Sequence, residues 1–168
     1  MPILFWGHQP INKIKKNCFS QWYPSDFVIN GVKYNCCEQY MMAQKAKLFN
    51  DDEMLNAIMG TSDPREIKAY GRKVKNFDAK VWDDNCRDIV FEANYAKFSQ
   101  NPKLKEFLLS TDNEVIAEAS PYDTIWGIGL KADDPLAQNE ATWKGTNYLG
   151  KAIMAVRKEL ETVSKNAL

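Results

Sequence analysis

The sequence predicts an α+β fold, a helix-rich single domain over residues 1–168 with a small antiparallel sheet. Three observations predict it. Asn30-Gly31 separates two β-forming runs, Phe27-Val28-Ile29 and Val32-Lys33-Tyr34, as in a hairpin with a type I′ turn. From Asp78 to Gln100 apolar residues recur at helical spacing without Pro or Gly. Several shorter segments begin at a capping residue or end at glycine. At this length, with 45% hydrophobic residues, the chain can bury a core, and one domain is the expected count.

Taken in order, Ile3 to Trp6 is a short apolar run and reads as a strand. His8, Lys13, Lys15 and Lys16 follow in a loop. Phe19-Ser20-Gln21-Trp22-Tyr23-Pro24 is a loop or strand edge, since it ends in proline. Its aromatics suit either a pocket for a flat ring or a lid over the core. After the hairpin, Cys36 to Lys45 is a helix, free of Pro and Gly. At 3.6 residues per turn, Glu38, Met41, Met42, Lys45 and Phe49 share one face. If that face is inward, both charges have left water, which is costly unless they are paired or used. Alternatively, Glu38 and Lys45 complement the two ends of the helix dipole with their heads in solvent.

Asp51 to Met59 forms a second helix stopped by Gly60. Asp63-Pro64-Arg65-Glu66 starts a third, with Asp as cap and Pro at the first helical position. It stops at Gly71. Arg65, Lys68, Arg72, Lys73 and Lys75 make this the most basic segment, either a solvated face or a phosphate contact. In the long helix, Trp82, Cys86, Ile89, Ala93 and Ala96 form a buried stripe, with Val90, Phe91, Tyr95 and Phe98 beside it. Asn101-Pro102 opens a helix to about Ser110. Val115 to Ala119 is a strand, stopped by Ser120-Pro121. In the loop that follows, Asp123 and Trp126 lie close together, and Gly127 and Gly129 permit close approach of backbone to a ligand. Asn147 is placed to cap a final helix that frays after about Glu161.

Lys+Arg and Asp+Glu both number 22. Zero net charge argues against coating a nucleic-acid backbone or an anionic membrane. No apolar run approaches the ~20 residues of a spanning helix. The N-terminal residues lack a signal-peptide pattern, so a cytoplasmic address is expected. Cys18, Cys36, Cys37 and Cys86 form no C-x-x-C pair, and His8 is the sole histidine, so a zinc site of the usual spacing and a Cys-His nucleophile are not expected.

Four stretches together resemble the YbiA-like family, also called the NADAR domain. They are Phe19 to Pro24, the Glu38 to Lys45 helix, Ser120 to Gly129, and Gly145-Thr146-Asn147-Tyr148-Leu149-Gly150 with Arg157 beyond. The resemblance spans about residues 17 to 160. The family pattern usually has Asn in place of Gln21, and His-Tyr where Gln39-Tyr40 stands. It implies an N-glycoside hydrolase that cleaves ribose C1 from the nitrogen of a base. Its substrates would be phosphoribosylamino-pyrimidine intermediates of riboflavin synthesis or ADP-ribosylated guanine, including ADP-ribosylated nucleic acid. The catalytic residues it implies are Glu38, Lys45 and Asp123; Ser20, Arg72, Trp82, Trp126, Gly127 and Asn147 become substrate-binding candidates. The scheme requires no metal and no cofactor. Glu38 and Asp123 would supply charge and a base for an oxocarbenium-like state. Lys45 would supply an amine for a Schiff base with C1, with its pKa lowered by apolar packing and raised by Glu38. The competing readings are a module that binds ADP-ribose or a nucleotide without cleaving it, and a structural protein whose aromatics are all core.

Overall fold

Asn30 and Gly31 both adopt left-handed backbone angles, with φ of 52° and 80°. They turn β2 (Phe27–Ile29) back onto β3 (Val32–Tyr34) as an antiparallel hairpin in which Phe27 faces Tyr34. The computed structural model of the protein describes residues 1–166. The chain divides into two compact units, Pro24–Lys97 and a second formed by Met1–Tyr23 with the chain from Phe98 onward.

In the first unit, the hairpin leads into α1 (Cys37–Leu48), which is buried at every position from Cys37 to Ala43 and again at Ala46. The single inward face expected from the sequence is therefore too narrow a description. The hairpin, α2 (Asp52–Met59) and α3 (Pro64–Arg72) pack around α1. Tyr40 meets Tyr34 edge-on at 5.0 Å, and Phe27 lies 5.9 Å from Tyr34. Gln39 ties the layers together, its Oε1 accepting from the Asn35 N–H while Nε2 donates to the carbonyls of Ile58 and Thr61. Asp51 caps α2 through the Met54 N–H and also accepts from the Lys75 N–H. Asp63 caps α3 as its sequence predicts. Gly71 lies against the Met42 side chain, which leaves no room for a Cβ without displacing it.

The long helix α4 (Ala79–Gln100) starts at Asp78, whose carboxylate accepts from the Lys80 and Val81 N–H groups. Its first turns are exposed except for half-buried Trp82 and Asn85; the deep stripe begins at Cys86 and continues through Val90, Ala93, Asn94 and Lys97. Tyr40 Oη donates to Glu92 Oε2 at 2.7 Å, and Cys37 Sγ to Asn94 Oδ1 at 3.7 Å, so the second half of α4 meets the first turn of α1.

In the second unit, β1 (Ile3–Phe5) pairs in parallel with β4 (Ile116–Glu118), Ile3 opposite Ile116. Among the described residues the sheet content is thus an antiparallel hairpin plus a parallel pair, where a small antiparallel sheet was expected. Leu4, Ala117, Ala119, Ile128, Leu130 and Ala137 form the core on this pair, with Trp143 packed against it. Between α5 (Pro102–Ser110) and α6 (Tyr148–Asn166), the buried Arg157 donates to Thr111 Oγ1 and to the Glu114 carbonyl, both at 2.8 Å. The helix α6 continues past Glu161, where fraying was expected, to Asn166.

Asn147 does more than cap α6. Its φ is 52°, its Oδ1 accepts from the Glu118 N–H, and its Nδ2 donates to the Ile116 carbonyl. Only its backbone carbonyl serves the helix, taking the Lys151 N–H. One turn on, Gly150 abuts the Ile116 carbonyl and the Asn147 amide, so α6 sits directly on the β4 backbone. Gly150→Ala forces these apart and is expected to cost about 1–3 kcal/mol. A lowered midpoint in urea unfolding measures this; an unchanged midpoint contradicts it.

Candidate active site

The Pro24–Lys97 unit gathers Glu38, Lys45, Arg72 and Trp82. Glu38 stands in the first turn of α1 and is only 7% exposed. Lys45 stands two turns on, half-buried, its Nζ 4.7 Å from the Phe77 ring centroid and 5.7 Å from that of Trp82. Phe77 belongs to the turn before α4 and packs edge-on against Phe49 at 5.4 Å. Trp82 is therefore a wall of the Lys45 environment, not a core residue of the α4 stripe.

The electrostatics of Lys45 resolve the competition that the sequence left open. Burial pushes its ammonium below the ordinary lysine value, Glu38 pulls the other way, and Arg72 adds to the lowering. The net direction is down. At any pH near neutral, more of the free amine is present than on a solvated lysine. The thiols beside Glu38 go the opposite way, with Cys36 pushed to about 11 and Cys37 to about 12, chiefly by burial. Both remain protonated and inert as nucleophiles.

The other predicted residues lie in the second unit. Asp123 Oδ1 accepts from the Ile125 and Trp126 N–H groups at 2.9 and 2.8 Å, fixing the turn. Among the described residues Oδ2 accepts no hydrogen bond. Trp126 is half-buried, edge-on to Tyr148 at 6.1 Å. The close neighbours of Gly127 are backbone: a Cβ there would meet the Glu118 carbonyl at 2.8 Å, and its own carbonyl accepts from the Asn147 N–H. Asn147 is spent on β4 in the manner given above. Ser20 Oγ accepts from the Trp22 N–H at 3.2 Å, and Trp22 in turn meets His8 edge-on. A separate cleft of about 820 Å3 is lined by Met1, Asp112, Glu114 and Glu140 and contains none of these residues.

Sequence reasoning missed Phe77 and Lys97. Phe77 had one signal, a large aromatic placed in a turn between two charged stretches. Lys97 is 0% exposed and had none, because a lysine within an apolar stripe reads as a charge at its margin. Among the described residues no helix is long and apolar enough to cross a membrane.

The lowered Lys45 pKa gives a direct test. In pH-dependent labelling with an amine-reactive reagent, Lys45 should react at lower pH than the exposed lysines. Arg72→Ala removes a neighbouring positive charge and should move that transition up, while Glu38→Gln should move it down. Coincident transitions in all three proteins would contradict the account.

Comparison with known proteins supplies the context. The sequence profile of the NADAR domain matches residues 4–161. A protein of Acanthamoeba polyphaga mimivirus named an N-glycosidase is 47% identical over 153 residues, covering 88% of this chain and 90% of that one. The chloroplastic riboflavin biosynthesis protein PYRR of Arabidopsis thaliana is 38% identical over 111 residues, 64% of this chain and 17% of that one. The NMR structure of the E. coli protein YbiA superposes with a TM-score of 0.77 at 25% identity, covering 96% of this chain and 86% of that one.

Proposed function

Because the chain belongs to the NADAR domain family, we propose that it is an N-glycosidase, a hydrolase of the bond between ribose C1 and a nitrogen of a base in a nucleotide-type small molecule. The observation that carries the reading at residue level is Lys45, an amine of lowered basicity walled by Phe77 and Trp82 and under the influence of Glu38. The family match runs through both compact units, which supports treating residues 1–168 as one functional domain.

Two routes are open to these residues. In direct hydrolysis, the ribose acquires positive charge as C1–N breaks, carboxylates stabilise it, and one of them takes a proton from the attacking water. Glu38 and Asp123 fill those roles. In the second route, the lone pair of the linking nitrogen opens the ribose ring to an imine, and the ring oxygen takes up a proton. The neutral Lys45 amine adds to C1 and the base departs as its protonated amine, leaving a Schiff base. Water then releases the sugar aldehyde and restores Lys45. Trp82 and Trp126 serve as stacking walls for the base or ribose, and Arg72, exposed at the end of α3, as a phosphate contact. The substrate classes proposed are ADP-ribosylated guanine and phosphoribosylamino-pyrimidines. A cytoplasmic setting fits either.

Incubation with ADP-ribosylated guanosine and with an aminouracil ribosyl phosphate, followed by detection of free base, tests the reading. Release from neither sinks it. Glu38→Gln and Asp123→Asn should keep the unfolding midpoint near that of the parent and lose about 100-fold or more in turnover. Full activity in both removes them from the chemistry. Borohydride added during turnover should attach the sugar to Lys45, located by peptide mass; full activity without trapping leaves direct hydrolysis.

A further inference from the structure

The fold buries a second lysine that the chemistry above does not employ. Lys97, on α4, has 0% of its surface exposed. It lies one turn beyond Asn94, the partner of Cys37 Sγ, while Glu92, two residues before Asn94, takes the Tyr40 hydroxyl. The Cys37–Asn94 contact brings this part of α4 to the N-terminal end of α1, where Lys97 acts on both Cys36 and Cys37 and where Glu38 lies. That end of a helix is itself partly positive, so an ammonium there needs a negative partner. Within Pro24–Lys97 the buried carboxylates are Glu38 and Asp51. Asp51 sits at the opposite end of α1 and serves two backbone N–H groups. The thiols of Cys36 and Cys37 both feel Glu38 pushing them up and Lys97 pulling them down.

We infer that Lys97 is a positioning residue, the buried counter-ion that holds the Glu38 carboxylate in place between itself and Lys45. Its catalytic consequence rests on the role of Glu38 in the N-glycosidase reading; the pairing itself does not. By sharing the charge of Glu38, Lys97 weakens the hold of Glu38 on the Lys45 proton and so favours the free amine. The other titratable groups recorded as interacting with Glu38 are Cys36, which precedes α1, and Cys37 and Lys45 on α1; Arg72 on α3 acts on Lys45. On α2, Asp52 and Glu53 are exposed; on β3, Lys33 is exposed and paired with Asp26 at 3.3 Å.

A double-variant cycle on the full chain without substrate tests the pairing. Lys97→Met leaves Glu38 buried without its counter-charge and should lower the thermal midpoint; adding Glu38→Gln should restore part of the loss. A double variant no more stable than Lys97→Met, or unfolded with it, overturns the pairing. The positioning role is read from the pH profile of base release. In Lys97→Gln the rising limb should move up by about one pH unit or more, because both Glu38 and Lys45 then hold protons more tightly. Lys97→Arg should return it toward the parent. An unmoved limb with turnover reduced equally at all pH values overturns the role. If no variant or parent releases base, the N-glycosidase reading fails, while the unfolding cycle still decides whether Lys97 and Glu38 are partners.

Discussion

The first seven residues of α1 have no solvent side, and one of them is a glutamate. That constraint orders the rest of the Pro24–Lys97 unit. An enclosed helix needs neighbours on every side, which the hairpin, α2, α3 and α4 provide. It also needs small contacts where backbones approach, hence Ala43, Ala46 and the Gly71 of α3. Its polar side chains must find partners inside the fold, which Gln39 and Tyr40 do by bonding to α2, its following loop and α4.

Around Lys45 two effects oppose each other within the same pair of rings. Phe77 and Trp82 attract the ammonium through their π faces, which favours the charged form. At a half-exposed site such attraction is worth about 0.5–1 kcal/mol. The same rings also remove water, which favours the neutral form. Among burial, Glu38 and Arg72, burial acts most strongly on Lys45, and its pKa falls. An aromatic enclosure excludes water as an aliphatic one does, while presenting flat surfaces to a sugar or base.

How much of this was legible in the sequence follows from how local each signal is. The Asn30-Gly31 hairpin and the cap at Asp63 depend on a few adjacent residues, and they stand where the sequence places them; Asp51 and Asp78, read as helix starts, turn out to be caps as well. The parallel pairing of β1 with β4 joins distant parts of the chain, and three-residue strands carry no partner information. Asn147 was misread for a related reason. An Asn before a helix is the ordinary cap, but a left-handed φ redirects its side chain to β4. At the candidate site, the Glu38–Lys45 spacing was readable because both lie on one helix. The Phe77 wall and the buried Lys97 were not, since each depends on which part of α4, or of the turn before it, meets α1.

Gln39 occupies a position where the family commonly has histidine. Its carboxamide makes one acceptor bond and two donor bonds, to Asn35, Ile58 and Thr61. A neutral imidazole has one acceptor nitrogen and one N–H, so it can serve at most two of those three backbone groups. A relative carrying histidine must hand the third to solvent or reshape the link between its second and third helices. Drift at this residue is therefore tied to the length and course of that link, and the two ought to change together across the family.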